Sequence, residues 1–240
     1  MSLSASDYQK LYKFQDEVFA ELRNELSGFY LTGGTALGRF YLNHRYSDDL
    51  DFFVNADPHY QEKVNLIYRK LKTVFKLDES LTLLTEAYTR MYISSPQVLK
   101  IDIVNDLPEH WGNCNPAFGI MIDNPANILS NKLGTILSRN EPKDIYDIVS
   151  ISEAYSFNWK NVYLQTLKKQ VTNETDIGMR IAAFPVQWLD NQTWLKTDFE
   201  QNGFSEKLRI ISNEILFARD NSLGEGKIAI EQATIQHLSV

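Results

Sequence analysis

A glycine pair at a strand-to-helix junction, Gly33-Gly34-Thr35-Ala36-Leu37, precedes Ser47-Asp48-Asp49-Leu50-Asp51-Phe52-Phe53, and together they constrain the fold of this chain more than any other feature. The apolar Phe29-Tyr30-Leu31 reads as a strand entering the turn, and Ala36 to His44 as the helix leaving it. A helix start has backbone N–H groups without partners, and these point at bound phosphate. Leu50, Phe52, Phe53 and Val54 read as a second strand. Side chains two apart on a strand share a face, so Asp49 and Asp51 project together with Cα atoms roughly 6.5–7 Å apart. Two carboxylates forced within about 4 Å repel by ~4 kcal/mol at an effective dielectric of about 20, and desolvation adds to that cost. A divalent cation removes it. Mg2+, or Mn2+, suits such oxygen ligands and completes its shell with water and substrate phosphates.

Neither half of this block is specific alone, because glycine pairs mark ordinary turns and strand ends often carry solvated acids. Other segments complete it. In Lys100-Ile101-Asp102-Ile103-Val104, the isoleucines share one strand face and Asp102 the other, which makes Asp102 a candidate third carboxylate on an open side of the sheet. Lys132, Thr135 and Arg139 recur at i, i+3 and i+7 on one helical face. Ile128, Leu129, Leu133, Ile136 and Leu137 anchor the opposite face, which frees the basic stripe to meet a triphosphate. Pro142 starts a further helix, where Asp144 either organises Lys132 and Arg139 or acts as a base toward an acceptor.

The combination of Gly33-Gly34-Thr35-Ala36-Leu37, His44-Arg45-x-Ser47-x-Asp49-Leu50-Asp51-Phe52, Lys100-Ile101-Asp102, Lys132-Leu133-Gly134-Thr135, Arg139 and Lys143-Asp144-Ile145-Tyr146-Asp147 resembles the AbiEii/AbiGii toxin family. These are nucleotidyltransferase-like proteins of the DNA polymerase β superfamily, many of them toxins of bacterial toxin–antitoxin pairs. The resemblance runs from about Phe29 to Tyr155. It implies Mg-dependent transfer of a nucleoside monophosphate from a nucleoside triphosphate to an acceptor hydroxyl, with tRNA or another RNA as a possible acceptor and an antitoxin as partner. Gly33, Gly34 and Thr35 match the family's phosphate-cradling turn, Asp49 and Asp51 its metal ligands, and Asp102 its third carboxylate. Ser47 matches as well, and its hydroxyl either bonds phosphate or caps the turn. Arg45 either meets phosphate or forms a structural salt bridge with Asp48 or Asp49, the salt bridge being the preferred reading. The family commonly has arginine at the position of Lys143, and lysine keeps the charge without the bidentate fork.

The expected fold class is α+β: a polymerase-β-type nucleotidyltransferase domain over residues 1–124, with a small mixed sheet flanked by helices, then a helical domain over 125–220. Residues 221–240 read as a loosely held tail. An N-terminal amphipathic helix is expected from about Ser6 to Leu26 and another from Pro58 to Phe75. Short strands are expected over Leu81–Thr85, Ala87–Ser94, Val98–Val104 and Gly119–Ile122, and helices over Pro125–Arg139, Pro142–Tyr155, Trp159–Gln170, Thr175–Phe184 and Ser205–Asp220. Tyr146, Tyr155, Trp159, Tyr163, Trp188 and Trp194 either stack a base or fill the core. The lone Cys114 rules out an internal disulfide and a cysteine-rich zinc site, and reads as inert. A polar N-terminus and the lack of any membrane-length apolar run suggest a soluble, cytoplasmic protein. The net charge of −7 gives no long-range attraction to nucleic acid, so RNA contact would need a local basic patch. Two rival readings are modification of a small cationic molecule, as aminoglycoside nucleotidyltransferases do, and a nucleotide- or partner-binding module without turnover.

Overall fold

Alternation along the strands decides which side of the sheet is covered. In the computed structural model, which describes residues 3–197 and 199–236, the chain runs α1 (Ala5–Leu22), β1 (Tyr30–Thr32), α2 (Gly33–Ala36), β2 (Leu50–Asn55), α3 (Tyr60–Val74), β3 (Lys76–Leu77), β4 (Leu83–Leu84), β5 (Tyr88–Ser95), β6 (Leu99–Asp106), β7 (Asn115–Ala117) and β8 (Ile120–Ile122). Five helices follow: α4 (Pro125–Thr135), α5 (Pro142–Ala154), α6 (Trp159–Lys169), α7 (Glu174–Ala182) and α8 (Gln201–Leu216). Leu50, Phe52 and Val54 of β2 and Leu99, Ile101 and Ile103 of β6 are buried on one face. Against that face lie α1, whose Phe19 meets Phe52 edge-on at 6.3 Å, and α3, whose Tyr60 hydroxyl donates to the Ile103 carbonyl at 2.7 Å. Asp51, Phe53, Lys100 and Asp102 alternate onto the other face, toward the cleft.

The sheet is mixed, in the order β3-β5-β6-β2-β1-β8-β7 with β4 also on β5. β1 pairs antiparallel with β2 and parallel with β8, while β2 pairs parallel with β6. That register sets Asp51 opposite Thr32 on one side and Asp102 on the other. Local sequence explains the element ends. Ser4 and Asp7 form a reciprocal capping box on α1, and Asn124 caps α4 just ahead of Pro125 at its first position.

Most expected elements are present with ends moved by a few residues. The exceptions have local causes. The helix expected from Ala36 begins at Gly33 and continues past Ala36 as a π-helical stretch over Leu37–Leu42, ended by Asn43 in the left-handed conformation. The expected strand Leu81–Thr85 shrinks to Leu83–Leu84, preceded by a 3-10 turn that Asp78 caps. The last helix starts earlier, at Gln201, because Glu200 accepts from the Asn202 and Gly203 N–H groups. Residues beyond Asn221 are packed as far as 236: Ile230 is fully buried, Ser156 bridges Ala229, and the Gln236 N–H donates to the Phe40 carbonyl at 2.8 Å. The rest of the expected tail lies outside the described residues. No described helix is long and apolar enough to cross a membrane.

Candidate active site

Gly33 is required by conformation and by space, and Gly34 by space alone. Gly33 has φ +69°, and a Cβ there would sit 2.9 Å from Asp51 Oδ2. A Cβ on Gly34 would collide with the Arg45 guanidinium and approach Ser47 Oγ to 3.0 Å. Gly34→Ala is therefore expected to cost ~1–3 kcal/mol of stability through overpacking, read by urea denaturation, and a variant of wild-type midpoint would refute the close approach. The Thr35 hydroxyl donates to the Asp49 carbonyl, tying the turn to the entry of β2. The Ser47 N–H donates to the Tyr12 hydroxyl at 3.0 Å, so its backbone is fixed from α1.

Asp49, Asp51 and Asp102 come together where β2 and β6 run side by side, each in a different electrostatic setting. Asp51 stands opposite Asp102 in the β2–β6 register and two residues along the chain from Asp49. Burial, reinforced by the adjacent Asp49 charge, pushes its carboxyl up to about 6. Asp49 receives the Lys100 ammonium at 2.6 Å. Burial alone would raise Asp102, but a bidentate Arg90 fork at 2.8 and 3.0 Å, Lys100 at 3.4 Å and the Tyr88 hydroxyl at 2.9 Å hold it below the usual carboxylate range. Sequence reading missed Arg90 and Tyr88 as partners of Asp102. Arg90 stands opposite Asp102 only through the antiparallel β5–β6 register, which local sequence does not display.

A cavity of about 270 Å³ opens beside Asp51, between the sheet, α4 and α6, with Gly33, Asp51, Lys132, Thr135, Arg139 and Lys169 in its wall. Lys132 is not the free cation expected of the stripe. It is buried, at 2.8 Å from Asp144 and 2.5 Å from Asp147. Arg139 also grips Asp144, at 2.6 and 2.9 Å, but its side chain is 56% exposed and reaches the cavity. Asp144 is buried with both oxygens engaged by these cations, which suits organising them and leaves no lone carboxylate to serve as a base. Leu137, expected to anchor α4, is exposed beyond its end.

Arg45 does not pair with Asp48 or Asp49. It donates from Nε and Nη2 to the two oxygens of Asp147, at 2.6 Å each, while His44 Nε2 contacts Oδ1 at 2.6 Å. Lys143, rather than Arg45, reaches Asp48, at 3.4 Å. Asp147 is fully buried; burial opposes its charge, yet Arg45, Lys132 and His44 hold it well below the usual range. Tyr155, Trp159, Tyr163 and Trp194 are core residues, and Tyr146 stacks on His44 and Phe204. Trp188 alone of the six aromatics is substantially exposed.

The family model for the nucleotidyl transferase AbiEii toxin of type IV toxin–antitoxin systems matches residues 19–208. The chain belongs to this family. The fold is of the polymerase-β nucleotidyltransferase type, and the protein is a nucleotidyl transfer enzyme. Among solved structures, JHP933 from Helicobacter pylori is similar with a TM-score of 0.59 and 18% identity over 89% of this chain and 93% of that one. MenT4, a nucleotidyltransferase toxin from Mycobacterium tuberculosis, is similar with a TM-score of 0.58 and 13% identity over 88% of this chain and 85% of that one. At such identities the likeness speaks to the fold. Comparison with curated proteins gives no match.

Proposed function

We propose that the enzyme transfers a nucleoside monophosphate from a nucleoside triphosphate to a hydroxyl of an RNA acceptor, with Asp49, Asp51 and Asp102 as the ligands of divalent metal. The observation that carries this is the grouping of Asp49, Asp51 and Asp102 where β2 pairs with β6, beside a cavity lined by Gly33 and Asp51. An all-oxygen donor set on neighbouring strands suits Mg2+ or Mn2+, provided Lys100 withdraws from Asp49. When bound, such a metal supplies charge neutralisation at the triphosphate and acidifies the attacking hydroxyl.

The chain's own groups do the rest. N–H groups at Gly33, Gly34 and Thr35 receive phosphate oxygens at the helix start, and Ser47 and Arg139 border them. Lys132 and Asp144 act through Arg139, whose guanidinium they fix at the cavity mouth. Asp102, held below the usual carboxylate range by Arg90, Lys100 and Tyr88, acts as an anionic ligand through an oxygen that Arg90 releases. Lys100, Arg90, Lys143 and Arg139 each pair with an acid around the cleft, so the cleft is not the bare acidic surface that would draw a cationic aminoglycoside. Incubation with each α-labelled nucleoside triphosphate, Mg2+ and a pool of RNAs including tRNA is expected to label RNA. Labelling of a small amine-bearing acceptor and not RNA would overturn the acceptor. In a bacterial host, growth arrest on expression is the matching phenotype, relieved by a cognate antitoxin.

Metal affinity has a defined pH dependence. Asp51 must lose its proton to bind a cation, so Mn2+ affinity measured by calorimetry is expected to fall roughly tenfold per pH unit below about 6 and to level off above it. A flat profile between pH values of about 5 and 7.5 would contradict the assignment. The linkage to stability has the opposite sense. A carboxyl raised above its unfolded value contributes stability that is full below about 3.9 and is lost as pH rises through about 6, so the metal-free protein is expected to lose stability over that interval.

A further inference from the structure

Beyond the cleft, a second cluster joins the loop after β6 to the start of α4. His110 Nε2 lies 3.0 Å from Asp123 Oδ1, and Cys114 Sγ lies 3.6 Å from the same nitrogen. All three ligand atoms lie within 4.8 Å of one another. The protonation of His110 is constrained by its other nitrogen. Nδ1 is 2.9 Å from the Gly112 carbonyl, which can only accept, so Nδ1 carries the hydrogen. In the neutral ring Nε2 is then a lone pair, and it faces a carboxylate oxygen and a sulfur.

We propose that His110, Cys114 and Asp123 form a zinc site distinct from the catalytic carboxylates. Tetrahedral zinc with Zn–S near 2.3 Å and Zn–N and Zn–O near 2.0–2.1 Å separates S from N by about 3.6 Å and N from O by about 3.3 Å. The observed 3.6 and 3.0 Å are close to those spacings. The surrounding bonds are those that orient metal ligands. Asp123 is fully buried; its Oδ2 accepts from the Thr32 hydroxyl at 2.6 Å and Asn127 Nδ2 at 2.9 Å, and its Oδ1 accepts from the Asn124 N–H at 2.8 Å. Oδ1 is thereby aimed at the cluster. The His110 side chain remains 17% exposed, so the cluster is reached from solvent, from which water would supply the fourth ligand. Thiolate and imidazole select zinc over magnesium, whose preference is for oxygen. On binding, the Cys114 thiol proton leaves to solvent and sulfur bonds the metal. Zinc there clips the His110–Cys114 loop to the α4 N-terminus and, through Thr32, to the residue before the Gly33 turn.

The test uses the whole chain, stripped of metal and then held in excess Mg2+ so that oxygen-only sites are filled. Titration with Co2+ is expected to give a thiolate-to-cobalt charge-transfer band that saturates at a single equivalent, persists in Asp51→Asn and is erased by Zn2+. Zn2+ is expected to raise Tm and to shield Cys114 from alkylation in the wild-type chain. His110→Asn is expected to weaken Zn2+ binding roughly 10–100-fold or more, and Cys114→Ser to abolish the band. Absence of the band in the wild-type chain, or Cys114 alkylated at the same rate with and without Zn2+, would overturn the proposal whether or not either variant folds.

Discussion

Asp51→Asn is expected to lower nucleotidyl transfer by roughly 10³-fold or more, because a metal clamp on a triphosphate supplies several kcal/mol of charge stabilisation. The same change should leave the fold intact or slightly stabilise it. Asp51 is a half-buried carboxylate beside Asp49 and Asp102, and desolvation with the adjacent Asp49 charge pushes its carboxyl up to about 6, so its charge is unfavourable without a cation. The neutral amide keeps the shape and removes the repulsion. The opposing signs separate a metal ligand from a structural acid: a structural acid held by cations would lose stability on neutralisation. Asp49→Asn should behave similarly in rate, with less effect on stability, since Lys100 already offsets the Asp49 charge at 2.6 Å. Transfer by Asp51→Asn within tenfold of wild type would remove Asp51 from the metal site.

Asp147→Ala is expected to be the most destabilising single change on the helical side, at about 3–5 kcal/mol. Three side chains converge on this fully buried carboxylate: the Arg45 fork, His44 and Lys132. Removing it strands Arg45, buried, without its carboxylate partner and leaves Lys132 with Asp144 alone. Against a domain stability of roughly 5–15 kcal/mol, that loss reduces or abolishes folding at physiological temperature. The stability Asp147 supplies is fully present above about pH 4, the unfolded carboxylate value, and is lost as pH falls below it toward the depressed native value. Chemical denaturation of Asp147→Ala, Arg45→Met and the double variant tests this, since the double variant should recover about 2 kcal/mol or more relative to additivity. Additive effects would mean that the pair is not an energetic unit. Because Arg45 also limits the space at Gly34, loosening Asp147 should weaken nucleotide binding as well.

How much was legible in the sequence differs by residue. The placement of Asp102 was legible because alternation in Leu99–Val104 is a local signal: Ile101 and Ile103 are buried in the core, and Asp102 lies on the other face of the sheet, paired in register with Asp51. Of the two readings for Asp144, pairing with Lys132 or Arg139 was legible because the three lie on consecutive helices and the short connection between them, and Asp144 pairs with both. Arg45 does form the structural salt bridge preferred for it, but not with the nearby Asp48 or Asp49, because its partner is 102 residues away. Arg90 and Tyr88 went unseen because they reach Asp102 only across a strand pairing. His110 and Asp123 gave no spacing signal at all.

The sequence by itself determined the strand–glycine turn–helix, the pair of alternating carboxylates, the third acid and the family, because these depend on neighbours in the chain and on the strict period of a strand. The tertiary structure alone decided which cation holds which acid, that Asp147 rather than Asp48 receives Arg45, and that Lys132 is buried while Arg139 is open to the cavity. Charges in a folded interior pair through space. Their partners are set by sheet register and helix docking, and no local pattern carries that information.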